Sequence, residues 1–189
     1  SEMCIRDSHY RISSREEVAS YLTEERKEWI EGVGEAVVNS ELFTSEEISL
    51  VTFEEFQIFC SHYGLNPYSE AEKIDRELYL KMHIADYILN NNDRHEQNWG
   101  FLMENETGKL IGFCPLFDHD HAFVNYDHVM SQTTECEMSL KDAAVSAGKQ
   151  LGFTPERLYR AEQPMFLTGK QWEAVLERGR SLSQALSGN

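Results

Sequence analysis

The sequence has no long hydrophobic run, no closely paired cysteines and few basic residues, and each absence excludes a class of protein. No apolar stretch reaches the roughly 20 residues that a transmembrane helix needs. The 4 cysteines are scattered without a C-x-x-C pair, which argues against a zinc ribbon or a disulfide framework. With 17 basic and 33 acidic residues, the net charge of −16 opposes contact with nucleic acid and anionic lipid. We therefore expect a cytoplasmic protein that binds neither nucleic acid nor membranes.

The first residues carry a separate signal. Residues 3–8 read MCIRDS, which looks like the in-frame translation of a transposon-type sequencing adapter. That interpretation predicts that residues 1–8 are an artefact and that the natural reading frame starts near His9, with an unknown length of chain lost upstream. A short natural tail is the alternative.

Capping boxes and apolar periodicity predict a mainly helical chain. An S-x-x-E box at Ser14 starts a helix to about Trp29, followed by one strand within residues 35–43. A second box at Thr52 starts a helix whose apolar face we expect in the core: Phe53, Phe56, Phe59, Cys60 and Tyr63. A longer helix is predicted from about Ser69 to Asn90, with a core face of Ile74, Leu78, Met82, Ala85, Ile88 and Leu89. Further helices are predicted over residues 137–149, 154–161 and 168–186.

Two short apolar runs, residues 99–103 and 109–113, flank a polar turn ending in Gly108 and predict a β-hairpin. The hairpin separates the two most informative segments, NDRHEQN at residues 92–98 and FDHD at residues 117–120. Because the strands of a hairpin run in opposite directions, we expect Asn98 and Asp118 at the same end of it. A carboxylate at Asp93, an amide five positions later and a second carboxylate after the hairpin are groups that a Mg²⁺-dependent phosphoryl-transfer site needs.

Residues 86–120, which read DYILNNNDRHEQNWGFLMENETGKLIGFCPLFDHD, resemble the catalytic segment of HipA-like serine/threonine kinases. That family uses a D-x-H-x-x-N loop, matched here by Asp93 to Asn98, in place of the H-R-D loop of other protein kinases. A looser likeness runs from about Phe43 to Tyr126. The resemblance implies an α+β, protein-kinase-like fold of the HipA type: a mainly helical carboxy-terminal lobe with a short β-hairpin at the active site. It also implies ATP and Mg²⁺ as cofactors and a serine or threonine hydroxyl of a protein as substrate.

The resemblance further implies roles for single residues. Asp93 would be the base that orients and deprotonates the substrate hydroxyl, while Asn98 and Asp118 would coordinate Mg²⁺ next to the nucleotide phosphates. His95 would stabilise the loop by hydrogen bonding. Arg94 would either neutralise developing charge or pair with a neighbouring carboxylate.

Asp120 stands where the D-F-G segment of ordinary protein kinases has glycine. We group it with Asn98 and Asp118 as a cofactor-binding residue. Its side chain would either support the residues that bind the cofactor or be solvated.

A complete kinase also needs a loop that covers the phosphates and a strand lysine paired with a helix glutamate. The chain offers only G-x-G at residues 32–34, and none of Lys27, Lys73, Lys81 and Lys109 lies in a V-A-I-K-like strand. We therefore assign residues 9–44 to a remnant of the amino-terminal lobe and the hinge, and residues 45–189 to the carboxy-terminal lobe. A chain lacking the nucleotide-covering half is expected to be weakly active or inactive. The candidates for the helix glutamate are Glu16, Glu17, Glu24 and Glu25, and residues 39–44 would form the hinge.

Three other interpretations stay open. A zinc site would draw on His83, His95, His119, His121 and His128 with Asp118 and Asp120, but no C-x-x-C or H-E-x-x-H motif supports it, and ordinary surface or loop histidines are favoured. A non-catalytic regulatory module that binds an antitoxin-type partner would need no complete nucleotide cleft. A phosphoinositide kinase would share the D-R-H-x-x-N segment, although the acidic charge opposes docking on anionic membranes.

Overall fold

The computed structural model describes residues 11–14, 16–17, 20, 36–39, 42–119, 121–123, 130–136, 138–164 and 167–188. Along these ranges the chain forms β1 (Arg11–Ser14), β2 (Ala36–Asn39), β3 (Ile48–Thr52), α1 (Phe53–His62), α2 (Pro67–Ile74), α3 (Arg76–Leu89), β4 (Gly100–Glu104), β5 (Lys109–Phe113), α4 (Leu140–Leu151), α5 (Glu156–Arg160) and α6 (Gly169–Ser187). Helices and two small antiparallel sheets therefore share the described part of the chain.

The predicted hairpin is confirmed as β4 and β5, which pair antiparallel around a turn where Gly108 adopts a φ of 66°. A strand that the sequence did not predict, β3, pairs with the other side of β4 and completes a sheet in the order β3-β4-β5. Its five residues are all half-buried, without the clean alternation of a two-faced strand. The pairing with β4, rather than a pattern of its own, defines this strand.

Gly100 allows β3 and β4 to approach closely at the start of the hairpin. It pairs with Thr52, and a Cβ atom built on Gly100 would lie 2.1 Å from the backbone oxygen of Val51. No side chain larger than hydrogen fits at that distance. This residue therefore fixes where the loop preceding β4 meets the amino terminus of α1.

Helix α1 begins with the predicted capping box, in which Thr52 and Glu55 satisfy each other's backbone donors. Phe53, Phe56 and Cys60 are buried, at the i, i+3 and i+7 spacing of one helical stripe. The prediction that Phe59 and Tyr63 share this core face is wrong: they are 55% and 62% exposed and pack against each other with ring centroids 4.8 Å apart. The buried stripe of α1 is therefore narrower than the stripe of apolar residues in its sequence.

The single helix predicted from Ser69 to Asn90 is also wrong, because two helices meet at Asp75. This residue leaves the helical region with φ −152° and ψ 86°, and its carboxylate accepts a hydrogen bond from the backbone of Leu78. An aspartate that caps the next helix competes with continuation of the previous one. Helix α2 starts earlier than predicted, capped by Asn66 with Pro67 in its first turn.

Helix α3 is the centre of the helical layer and packs against α2, α4 and α6. Of its predicted core residues, Met82 and Ile88 are buried and the others are half-buried. Helix α4 begins at Leu140 rather than at residue 137, because Ser139 caps it. Helix α6 has the predicted Thr168 capping box. None of the helices in the described ranges is long and apolar enough to span a membrane.

The amino-terminal region is described only in short stretches. Strands β1 and β2 pair antiparallel, and β2 confirms the strand predicted within residues 35–43. The predicted helix start is seen where the backbone of Glu17 donates to Oγ of Ser14, 3.1 Å away. Predictions that concern residues 1–8, Glu24, Glu25, Lys27, residues 32–34, Asp120 and His128 lie outside the described residues.

We expect Gly100→Ala to destabilise the fold by about 1–3 kcal/mol or more, because the new methyl group must displace the β3 backbone. Gly169→Ala, at an open position in the first turn of α6, is the matched control and should leave stability unchanged or slightly raised. Urea denaturation of both variants and the parent chain measures the difference. Equal stability of the two variants would contradict the close approach.

Candidate functional site

The segment that carries the resemblance forms a loop between α3 and β4. Helix α3 ends at Leu89 and is capped by Asn90, which adopts the left-handed conformation with φ 52°. The backbone nitrogen of Asn91 then donates to the backbone oxygen of Asp86, 2.8 Å away, so the chain turns sharply out of the helix. Residues 91–99 follow as a loop whose two ends are fixed by a buried helix and a buried strand.

Asn98 and Asp93 are joined directly. The side-chain nitrogen of Asn98 donates to the backbone oxygen of Asp93 at 2.7 Å, and the backbone nitrogen of Asn98 donates to the backbone oxygen of His95 at 3.0 Å. These bonds orient the buried amide of Asn98. No hydrogen bond between described residues uses its Oδ1 atom, which is the end of the side chain that a cation needs.

The carboxylate of Asp93 faces solvent at the loop. Its side chain is 34% exposed, and its Oδ2 lies 3.9 Å from Nδ1 of His121. The backbone nitrogen of Asp93 is 3.4 Å from Oδ1 of Asn91, a completely buried residue. Asp93 therefore combines a fixed backbone with a carboxylate that solvent can reach.

Arg94 is buried, with 2% exposure, and all its N–H groups have acceptors. Nε and Nη2 donate to the carboxylate of Asp86 at 3.0–3.3 Å. Nη1 donates to the backbone oxygens of Asn98 and Phe117, each at 2.7 Å. Nη2 also donates to Nε2 of His119 at 3.0 Å. Of the two roles left open for Arg94, these contacts fit pairing with a carboxylate, because no donor is left for a phosphate.

Arg94 brings the two ends of the hairpin together. The oxygens of Asn98 and Phe117 share one nitrogen of its guanidinium, and Phe117 immediately precedes Asp118. Asp118 itself is exposed and adopts a φ of 55°, a region that L-residues other than asparagine and aspartate rarely occupy. Backbone contacts therefore link the segments that carry Asp93, Asn98 and Asp118: Asn98 bonds the backbone of Asp93, and Arg94 bonds the backbones of Asn98 and Phe117. Their roles in Mg²⁺ binding and catalysis stay predictions.

Two further contacts involve the loop. Nδ1 of His95 accepts a hydrogen bond from the backbone of Gln97 at 3.2 Å, so this imidazole contacts the loop itself. The ring of Phe43, in the predicted hinge, packs against Phe117 with ring centroids 5.7 Å apart. The segment before the sheet therefore reaches the residue that precedes Asp118.

The histidines considered for zinc have other partners. His83 is buried in α3, contrary to the expectation of a surface or loop residue, and its Nδ1 lies 3.1 Å from Oγ1 of Thr133. Burial lowers the pKa of His83 to about 4. His119 contacts Arg94, and His121 lies near Asp93. Among the described residues, no group of three or more histidine, cysteine, aspartate or glutamate side chains could hold a metal.

Sequence reasoning gave no role to Asp86 and Asn91, which are both buried and hydrogen-bonded to each other at 3.1 Å. A signal for Asp86 was present: a carboxylate four residues after Met82 falls on the apolar stripe of α3. A buried carboxylate needs a charged or hydrogen-bonding partner, and Arg94 is the nearest cation that follows it in sequence.

No protein-family model matches the chain, and no curated protein is a significant match to it. Among solved structures, the chain is similar to the crystal structure of a Helicobacter pylori proinflammatory kinase, CtkA, with a TM-score of 0.59. The alignment covers 81% of this chain and 72% of that one, at 15% sequence identity. At this identity the likeness concerns the fold alone. The chain has a kinase-like fold of mixed helices and a small antiparallel sheet.

The burial of His119 beside Arg94 predicts a loss of stability in acid. Burial and the neighbouring guanidinium lower the pKa of His119 from 6.5 to about 4 in the folded chain. Above pH 6.5 the histidine is neutral in both the folded and the unfolded chain, and its contribution to the free energy of unfolding is fully present. As the pH falls from about 6.5 to about 4, the unfolded chain takes up the proton first, so the free energy of unfolding decreases.

His119→Gln keeps a hydrogen-bond acceptor but cannot titrate. We expect its free energy of unfolding to fall by roughly 1–3 kcal/mol less than that of the parent chain across this pH window. Denaturant unfolding at pH 7 and pH 4.5 measures the difference. His62→Gln, at an exposed position on α1, is the control and should follow the parent chain. An identical pH dependence in His119→Gln would contradict the assignment.

Proposed function

We propose that this chain is the catalytic lobe of a Mg²⁺-dependent protein kinase that transfers the γ-phosphoryl group of ATP to a serine or threonine hydroxyl. The observation that carries the proposal is the Arg94 guanidinium, whose Nη1 bonds the backbone of Asn98 and that of the residue before Asp118. The side chain of Asn98 also bonds the backbone oxygen of Asp93, so hydrogen bonds link the D-x-H-x-x-N segment to the FDHD segment.

The oxygen groups of Asn98 and Asp118 are of the chemical type that fits Mg²⁺ and a nucleotide. Mg²⁺ prefers hard oxygen ligands and in nucleotide sites is held by one or two carboxylates together with substrate phosphates. Oδ1 of Asn98 and the exposed carboxylate of Asp118 are ligands of this kind. A bound Mg²⁺ would neutralise phosphate charge in the transition state. A site that takes its remaining ligands from the nucleotide and water needs no cluster of three acidic or imidazole side chains.

Asp93 would act on the acceptor substrate. Its carboxylate is accessible, whereas its backbone is bonded to both Asn91 and Asn98. In this position it would accept a hydrogen bond from the substrate hydroxyl and take its proton as the phosphoryl group is transferred. The fixed backbone would hold the acceptor oxygen in line with the phosphorus, which is where positioning contributes to the rate.

Two independent lines support the proposal. The sequence resembles HipA-like kinases through the loop at residues 93–98, and the fold is similar to that of a protein described as a kinase. The preference for serine or threonine hydroxyls and the use of ATP rest on the family resemblance.

The first test is nucleotide binding and transfer by the purified chain. We expect ATP to bind in a Mg²⁺-dependent manner and phosphoryl transfer to a mixture of serine and threonine peptides to be weak but measurable, because the groups that cover the nucleotide were not found in the sequence. Asp93→Asn should lower transfer by at least about 100-fold while leaving MgATP binding unchanged, because the base contacts the acceptor and not the phosphates. Asp118→Asn should weaken MgATP binding itself. Calorimetry and transfer of labelled phosphate measure the two effects.

Glu106→Gln, in the exposed hairpin turn, is the control for loss of one negative charge. Unchanged transfer in Asp93→Asn would remove the base assignment. Absence of Mg²⁺-dependent ATP binding together with tight capture of a protein partner would favour a non-catalytic module instead. Transfer to phosphoinositide vesicles and not to peptides would favour a lipid kinase.

A further inference from the structure

We propose that Asp86 is the positioning residue of this site, through which one buried carboxylate sets the geometry of both the proposed base and the proposed Mg²⁺ ligands. The inference rests on the proposed function, but it concerns a residue of α3 that is buried and therefore out of reach of a nucleotide or a protein substrate. Asp86 is 1% exposed and lies in the last turn of the helix.

The first connection runs from Asp86 to the proposed base. Oδ1 of Asp86 accepts a hydrogen bond from Nδ2 of Asn91 at 3.1 Å, which fixes the orientation of that amide. The opposite end of the amide, Oδ1, then faces the backbone nitrogen of Asp93 at 3.4 Å. Both Asp86 and Asn91 are excluded from solvent, so water does not compete for these contacts.

The second connection runs from Asp86 to the proposed metal ligands. Its carboxylate receives Nε and Nη2 of Arg94 side by side, a two-point contact that fixes the plane of the guanidinium. Nη1 then bonds the backbone oxygens of Asn98 and Phe117 together. The separation between Asn98 and Asp118 therefore depends on where Asp86 holds the guanidinium.

The chemistry explains why these residue types are used. A lysine at position 94 would provide the charge as a single point, with no planar group to bond two carbonyls and a carboxylate at once. A glutamate at position 86 would keep the charge but move it by one methylene. Both changes preserve the buried ion pair, so they alter geometry without leaving a charge unpaired.

The experiment measures how the apparent affinity for ATP depends on Mg²⁺ concentration in the full chain. We expect Asp86→Glu and Arg94→Lys each to raise the Mg²⁺ concentration needed for half-maximal binding about tenfold, the size of effect that residues behind a metal ligand commonly have. Excess Mg²⁺ should restore binding. Thermal unfolding establishes that each variant is folded at the assay temperature. If one of the two variants does not fold, the other alone is enough to test the inference.

Tyr79→Phe is the matched control for a buried hydrogen bond lost from the same helix. The hydroxyl of Tyr79 donates to the backbone oxygen of Thr133 at 2.9 Å, away from the Arg94 contacts. This variant should be less stable but keep the Mg²⁺ dependence of the parent chain. A shift in Tyr79→Phe equal to that in Asp86→Glu would reduce the role of Asp86 to general stability and overturn the inference.

The remaining outcomes separate the two proposals. If the parent chain binds MgATP and both Asp86→Glu and Arg94→Lys keep its Mg²⁺ dependence, the positioning role is wrong and the proposed function stands. If the parent chain shows no Mg²⁺-dependent binding of ATP, both are wrong.

Discussion

The site depends on one buried ion pair, Asp86 with Arg94. Removing two charges from water is costly, and the cost is offset only when every donor and acceptor is used. Arg94 meets this condition by bonding two backbone oxygens and one imidazole in addition to the carboxylate. The same contacts that make burial of the charge acceptable therefore hold together the loop after α3 and the segment after β5. Stability and site geometry here have a common cause.

The aromatic core holds the loop after α3 in place against the sheet. Trp99, completely buried, lies between the rings of Phe53 and Phe113, with centroids 4.0 Å and 5.5 Å away. Its backbone oxygen also accepts a hydrogen bond from the nitrogen of Phe53. Because Trp99 follows Asn98 directly, the packing of this one ring positions the end of the loop against α1 and β5. The loop itself can then consist of polar residues without being loosely held.

Much of the local structure could be predicted, because its causes are local. Capping boxes located the starts of α1 and α6, and the polar turn ending in Gly108 located the hairpin. The caps at Asn66, Asp75 and Ser139 were local signals that the prediction missed. Two other errors concern features whose causes are remote. Strand β3 exists through pairing with β4, and the apolar side chains of Phe59 and Tyr63 are exposed because nothing in the described chain packs over them. Periodicity identifies an apolar face but not what covers it.

The sequence by itself determined which chemical groups are present and their order: a carboxylate and an amide in one loop, and a second carboxylate after a hairpin. The resemblance to HipA-like kinases depends on that order. Only the tertiary structure decided that Arg94 is committed to internal acceptors, and that Asp86 and Asn91 lie behind the loop. The physical reason is that burial and pairing are properties of three-dimensional packing. A charged residue has the same identity in the sequence whether it faces a phosphate in solvent or a carboxylate in the core.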